Sequence, residues 1–391
     1  MIKNRYITDI ITNDLSEKMV FIGGPRQVGK TTLSKDIIAE NFDSFQYYNW
    51  DNREDRQEII KPGWPGQAKI LIFDEIHKYR HWKSFIKGEY DKLKGKYKFL
   101  VTGSARLDVY RRGGDSMLGR YHYYRLHPFS LAEACEKTNQ IKPFENINIQ
   151  SVNETDIFLA LDKFGGFPEP FIKQNARTLR RWHNERVDRL VREDIRDIAT
   201  IRDISGMMLL CDMLPVRAGS LLSINSLRED INVSHKTLTN WINIFESMYY
   251  CFRIYPHAGE NFRSLKKEPK LFLWDWSEIQ DEAAKFENLI ASHLLKLVHF
   301  LKDYEGYRME LKYLRSAEKK EVDFLVTCNN KPWFAVEAKL NKIAVSPNLL
   351  YFQSKLDIPF LFQVVKKTNV DILVENNIRV VSADRFLSSL V

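Results

Sequence analysis

The residues best suited to chemistry stand near the start of the chain, in the run Gly24-Pro25-Arg26-Gln27-Val28-Gly29-Lys30-Thr31 with Thr32 behind it. An apolar stretch, Met19 to Ile22, leads into this run, and a helical pattern from Thr32 to Ala39 follows it. Strand, glycine turn and helix in that order make a phosphate cradle. The turn exposes successive backbone N–H groups, and the helix adds the positive end of its dipole. Lys30 is spaced to reach the β- and γ-phosphates of a nucleotide, and Thr31 to hold Mg²⁺ through its hydroxyl.

A second set of candidates closes the apolar run Lys69-Ile-Leu-Ile-Phe-Asp-Glu75. A parallel strand buried on both faces needs such a run and carries its functional groups at the carboxyl end. Asp74 is then a ligand for Mg²⁺, directly or through water, and Glu75 the group that polarises the attacking water. His77 and His81 are four apart, but no further ligands accompany them, so they read as solvent-facing rather than as a zinc site. Lys98-Phe-Leu-Val-Thr-Gly-Ser104 is another buried strand that ends in hydroxyls. Arg111, Arg112 and Arg120 precede a fifth strand, Tyr121 to Leu126. Arg120 is the choice for a finger that reaches a neighbouring subunit's nucleotide, the alternative being an arginine that pairs with a local carboxylate or faces solvent.

The third set lies far downstream. Lys285 to Leu301 reads as an amphipathic helix bearing Glu287, and the strands Tyr307 to Arg315, Glu321 to Thr327 and Trp333 to Lys339 follow. Side chains two apart on a strand share a face, so Glu337 and Lys339 belong together. A hairpin through Asn329-Asn-Lys-Pro332 brings Asp323 beside Glu337. Two carboxylates and a lysine around one point can bind a divalent ion and orient water against a phosphodiester.

These sets need elements to hold them. The chain of 391 residues exceeds one ordinary core, and 44% hydrophobic with 28% charged residues describes a globular protein. No apolar run approaches the length of a bilayer span and no secretory leader is evident, so a cytoplasmic protein without membrane contact is expected. Cys135, Cys211, Cys251 and Cys328 form no Cys-x-x-Cys pair and read as reduced packing residues. The net charge of +8 is compatible with nucleic-acid binding.

Between the chemical sets, Glu136 to Thr155 is a polar boundary and Gly165-Gly-Phe-Pro-Glu-Pro170 reads as a turn. Arg177 to Arg202 is a charged helix or helix pair. Its Arg181, Glu185 and Arg189, like Asp188 and Arg192, are four apart, as in a self-paired helix or a basic rail for DNA. In Ser223 to Tyr255, Leu227 and Ile231 share one face, and Ser234 caps a second helix that buries Leu238, Trp241, Ile242 and Phe245. With the strand-like Tyr249 to Tyr255, this resembles a winged helix-turn-helix. Its second helix presents His235, Lys236, Thr239, Asn240 and Asn243 to DNA or to a protein partner.

The series Gly-Pro-Arg-Gln-Val-Gly-Lys-Thr, Phe-Asp-Glu-Ile-His-Lys, Thr-Gly-Ser, Leu-Gly-Arg and His127-Pro-Phe-Ser-Leu-Ala-Glu133 resembles the AAA-type ATPases of bacteria and archaea that end in a nuclease-like domain. The likeness continues through Gly165 to Glu169 and Arg192 to Asp197 to the carboxyl terminus. It implies an α/β fold with four parts. These are an AAA-type P-loop ATPase domain over residues 1–135 with a parallel sheet, a helical linker or lid over 136–200, a winged helix-turn-helix-like domain over 201–260 and a restriction-endonuclease-like domain over 261–391. It also implies ATP and Mg²⁺ as cofactors, Thr102 or Ser104 as the sensor of the γ-phosphate, and a homo-oligomer if Arg120 acts in trans. The restriction-endonuclease resemblance rests on an Asp, a Glu-x-Lys and an upstream helical Glu, filled here by Asp323, Glu337, Lys339 and Glu287. Two functions stand side by side: a DNA-associated ATPase with a Mg²⁺-dependent nuclease domain, and a nucleotide-controlled binding switch whose nuclease-like domain is silent. A small-molecule kinase would leave the second half of the chain without a role.

Overall fold

Five short apolar runs assemble the first sheet: β1 (Met19–Gly23), β2 (Phe45–Asn49), β3 (Ile70–Asp74), β4 (Lys98–Gly103) and β5 (Tyr121–Arg125). All are parallel, in the order β2-β3-β4-β1-β5. β1 and β3 are buried along their whole length, as strands covered on both faces must be. Phe21, Phe73, Phe99, Trp82 and Ile86 form the core on one face, with Phe21 stacked on Tyr121 at 4.7 Å between centroids. The computed structural model describes residues 4–61, 63–103, 117, 119–150, 154–195, 203–257, 268–374 and 377–391. Ser104, Arg111 and Arg112 fall outside them.

The chain divides into two compact units, Met1–His127 with Ser247–Tyr249, and Pro128–Glu246 with Tyr250–Val391. The first therefore ends at His127, short of the expected boundary at 135. Its helix after the glycine turn, Thr32–Ile38, is wound as a π-helix and tightens into a 3-10 turn at Ala39–Asn41.

The second unit opens with helices. Thr155–Phe164 ends at Gly165, and Pro168–Lys173 forms a short helix where a turn through Pro170 was expected. Proline is admitted at the first helical position because its missing N–H would have no partner there. Ala176–Arg189 runs on into Leu190–Asp194 and carries the anticipated pairs, Arg181–Glu185 at 3.7 Å, Arg189–Glu185 at 3.9 Å and Arg192–Asp188 at 3.0 Å. Ile204–Met213, Ile224–Ile231 and His235–Ser247 follow. Asn232, at φ +59°, makes the tight turn between the last two, and Ser234 Oγ accepts the Thr237 N–H at 3.1 Å.

The strand expected to serve as a wing does something else. β6 (Cys251–Pro256) joins β7 (Lys270–Leu273), β8 (Met309–Arg315), β9 (Glu321–Cys328), β10 (Lys331–Lys339), β11 (Phe360–Val365), β12 (Asp371–Val374) and β13 (Ile378–Ser382) in a mixed sheet. The order is β12-β13-β11-β10-β9-β8-β6-β7. β6 pairs antiparallel with β7 and parallel with β8, so the sheet runs across the boundary expected at 260. Cys251, Phe252 and Ile254 are apolar and buried; a wing in solvent would leave them exposed. The helix Glu282–Asp303 packs on β7 to β10, and β9 and β10 turn tightly at Asn329 and Asn330, both at positive φ.

Among the described residues no helix is long and apolar enough to cross a membrane. All four cysteines are free; three are buried and Cys135 is half-buried.

Candidate functional site

The sheet order decides the geometry of the first site. Because β4 lies between β1 and β3, Thr102 near its end stands between the glycine loop and Asp74. Asp74 is buried and accepts from three hydroxyls. Thr31 Oγ1 donates to Oδ2 at 2.6 Å, Tyr47 OH to Oδ2 at 2.8 Å, and Thr102 Oγ1 to Oδ1. Burial first, and then the Asp74 charge, hold the Tyr47 phenol well above its usual range, so it stays a donor.

The loop itself is shaped by its glycines. Gly24 sits at φ +154°, and a Cβ there would meet the Leu126 carbonyl oxygen at 2.5 Å; Gly29 lies at φ +97°. Pro25 and Val28 are buried, Arg26 and Gln27 half-buried, Gln27 at φ +61°. From outside the loop, Arg5 Nη1 donates to Val28 O at 2.8 Å. The Lys30 ammonium folds over the loop and donates to Gly24 O at 3.1 Å and Pro25 O at 2.8 Å. Thr32 opens the π-helix.

Glu75 follows Asp74 in a left-handed conformation, φ +55°, with its N–H donating to Thr102 O at 3.1 Å. Its carboxylate is 3.6 Å from His77 Nε2 and 3.9 Å from Lys78 Nζ, which also pairs with Asp51 at 2.7 Å. This corrects the reading of His77 as solvent-facing. The 3-10 turn Ile76–Lys78 tucks it against Glu75, and burial pushes its imidazole below the usual range, with the Glu75 charge acting the other way. His81 is exposed and precedes the helix Trp82–Leu93, so the two rings share no helical face.

Arg120 lies at the opposite end of this sheet. β5 is parallel to β1, and the Met19 N–H donates to Arg120 O, which places the arginine about 16 Å, one strand length, from the glycine loop. Its guanidinium pairs with Asp91, Nε to Oδ1 at 2.9 Å and Nη2 to Oδ2 at 3.2 Å.

The resident group expected at this first site is ATP with Mg²⁺, and the residues fit it. A hydroxyl and a carboxylate in contact, Thr31 and Asp74, are a hard-cation donor pair, and the Gly24 cradle has no room for a side chain.

In the second unit the four expected residues do converge, in company the sequence reading missed. The hairpin pairs Val336 with Phe324, and the Ala338 N–H donates to Asp323 Oδ2 at 2.9 Å. Glu337 is buried; its Oε1 takes Lys339 Nζ at 2.8 Å and Ser346 Oγ at 3.2 Å, while Oε2 is buried without a hydrogen-bond partner. Burial, then the Asp323 charge, pushes the Glu337 carboxyl up to about 7, and the same two causes push Glu287 up to about 8. The additional member is Lys270 on β7. Its Nζ lies 3.0 Å from Glu287, 2.7 Å from Glu321 and 3.7 Å from Asp323. Burial works against its charge, and these carboxylates outweigh it. Gln363, buried on β11, accepts the Ser346 N–H at 2.8 Å and so fixes the loop that reaches Glu337. A polar residue inside an apolar strand, as in Phe-Leu-Phe-Gln-Val-Val, was the available signal for Gln363; Lys270, which only opens Lys-Leu-Phe-Leu, carried none.

Divalent metal does not fit this cluster as it stands. Among the described residues no group of three His, Cys, Asp or Glu side chains is disposed to hold an ion, and an ammonium occupies the centre of the carboxylates.

Comparison with known proteins finds three family matches along the chain. Residues 16–135 match the family described as AAA domain, residues 161–278 a domain of unknown function (DUF8612) and residues 283–386 another (DUF4143). The first unit thus carries an AAA-type ATPase domain. Relatives include an uncharacterized protein of Methanocaldococcus jannaschii, 23% identical over 85% of this chain and 78% of its own. An uncharacterized protein of Haemophilus influenzae is 21% identical over 83% of both chains. Among solved structures, the RuvB Holliday junction branch migration motor of Thermotoga maritima is 13% identical and covers 63% of this chain and 87% of its own. Its TM-score of 0.30 is too low to carry an argument.

Proposed function

We propose that the protein binds and hydrolyses ATP at Gly24–Thr32 and uses the nucleotide state to control a DNA-associated second unit. The single observation that carries the ATPase reading is the node at Asp74, where Thr31 of the loop and Thr102 of β4 meet one buried carboxylate.

The loop amides and the Lys30 ammonium bind the β- and γ-phosphates, and Lys30 exchanges its two carbonyl partners for phosphate oxygens. Thr31 and Asp74 would hold Mg²⁺, which when bound supplies positive charge at the transferring phosphoryl group. Thr102 keeps Asp74 aimed and senses the γ-phosphate, a role for which Ser104 is the other candidate. Glu75 accepts a proton from the water whose oxygen attacks the γ-phosphorus, and ADP and inorganic phosphate leave. Arg120 is too far from its own loop to take part there, so its catalytic reading is a finger offered to a neighbouring copy, released from Asp91 on assembly. Mixing Arg120→Ala with Lys30→Ala protein then restores some turnover; a purely additive loss argues against a shared site.

DNA association is supported by the pair of helices at Asn232, which leaves His235, Lys236, Asn240 and Asn243 exposed. For the C-terminal sheet, the ammonium at the centre of its carboxylates favours the switch with a silent nuclease-like domain. The meeting of Glu287, Asp323, Glu337 and Lys339 favours the Mg²⁺-dependent nuclease. Supercoiled plasmid separates them: nicking that Asp323→Ala abolishes would establish the nuclease, and intact plasmid supports the switch. The ATPase reading is tested by phosphate release. Lys30→Ala is expected to abolish it, and hydrolysis that survives this change would sink the assignment.

A further inference from the structure

Four carboxylates crowd one end of the large sheet: Glu287 from the long helix, Glu321 and Asp323 from β9, and Glu337 from β10. Three cations face them, Lys270, Arg315 at 2.6 Å from Glu321, and Lys339 at 2.8 Å from Glu337. Lys270 is the buried member, 4% exposed, and its Nζ is shared by three of the four acids. Nitrogen-to-oxygen distances of 2.7 to 3.7 Å suit an ammonium. A hard divalent ion draws its oxygens to about 2.0–2.6 Å, closer than these acids approach their centre. The cluster nevertheless retains one unspent ligand, the buried and unpartnered Oε2 of Glu337. With all four acids ionised, as a bound cation would require, taking Lys270 away leaves four negative charges against the two positive ones of Arg315 and Lys339, a difference that one divalent ion matches.

We propose that Lys270 is a built-in cation that keeps this cluster closed to metal, and that its removal opens a divalent-cation site at Glu287, Asp323 and Glu337. The inference rests on the silent reading of the C-terminal domain given above and supplies its physical cause. Lys270 donates to the acids and holds the helix against β7 and β9. It fills the place where an ion would enter, and the hairpin keeps its register without metal.

The test uses the full chain without nucleotide, in an Asp74→Asn background that removes the first unit's carboxylate, with Mn²⁺ as the probe read by electron paramagnetic resonance. The background protein is expected to bind no Mn²⁺ that depends on Asp323. Adding Lys270→Met is expected to raise Mn²⁺ affinity about tenfold or more, and adding Asp323→Asn to remove the gain. Mg²⁺ or Mn²⁺ should also raise the melting temperature of the Lys270→Met protein and leave its parent unmoved. If Lys270→Met does not fold, Lys270→Met with Glu321→Gln removes one acid together with the cation and is read in the same way. A folded variant without the gain overturns the proposal, as does one that fails to fold even with excess Mn²⁺, since the ion then cannot replace the ammonium. Asp323-dependent nicking by protein that retains Lys270 would instead overturn the silent reading itself.

Discussion

Asp74 shows how much a single residue can organise. Its two oxygens take three hydroxyl donors from the loop, from β2 and from β4, so that the buried carboxylate is fixed in one orientation. Thr102→Val keeps the shape of the side chain and deletes one donor. Steady-state kinetics should show kcat reduced about tenfold with KM for ATP little changed, the signature of a group felt mainly in the transition state; an unaltered kcat would deny Thr102 that part. His293 makes a different single-residue argument. Its Nε2 accepts the Leu131 N–H at 3.0 Å and its Nδ1 faces the Leu289 carbonyl at 2.8 Å, so the ring is neutral with the proton on Nδ1. Burial lowers its pKa to about 4, against 6.5 for the free side chain. A depressed folded-state pKa gives stability that is present above 6.5 and is lost as the pH falls towards 4. Between pH 7 and pH 5 the second unit should lose about 2 kcal/mol from this group. Denaturant melts at the two values measure it, and His293→Gln should flatten the difference.

At the scale of elements, the Gly165-Gly166-Phe167 corner and the helix Ala176–Arg189 depend on each other. A Cβ on Gly165 would meet Asp275 Oδ1 at 2.7 Å, and one on Gly166 the Phe129 carbonyl oxygen at 2.5 Å, so the corner admits only glycine. Asp275 in turn accepts Trp182 Nε1 at 2.9 Å, and the buried Glu278 takes Arg186 at 2.5 Å and Tyr250 OH at 2.9 Å. Arg186→Leu would strand two buried acids. The expected loss is about 3–5 kcal/mol in the unfolding free energy of the second unit, read from urea melts, and a loss under 1 kcal/mol would show that Glu278 is neutralised by other means. The helix is therefore a divided element: Arg181, Glu185 and Arg189 pair along its exposed side, and Trp182, His183 and Arg186 anchor it through its buried one.

For the whole molecule, two compact units and one nucleotide loop imply a selective response to ligand. A ligand stabilises only the unit that binds it, by about 2.7 kcal/mol at one hundred times its dissociation constant. Calorimetry with a non-hydrolysable ATP analogue should raise one melting transition and leave the other in place, and Lys30→Ala should remove the rise. Equal movement of both transitions would mean that the two units unfold as one. That outcome would also be the first sign that occupancy of the loop is transmitted to the helices and the large sheet.

Sequence alone determined the strands of the first sheet, the glycine loop, the acid pair at the end of β3 and the two helices joined at Asn232. Each of these is written in local periodicity and in residues with few alternatives. It also named Asp323, Glu337 and Lys339, since a hairpin register can be counted, and Glu287 through the resemblance to a restriction-endonuclease fold. What only the tertiary structure decided was partnership across distance. Thr102 and Tyr47 reach Asp74 because of the order of strands in a sheet, and β6 joined the large sheet because its apolar side chains had to be covered. Lys270, a single basic residue opening a short strand, acquires its meaning from acids that arrive 17 to 53 positions later in the chain, which no local pattern encodes.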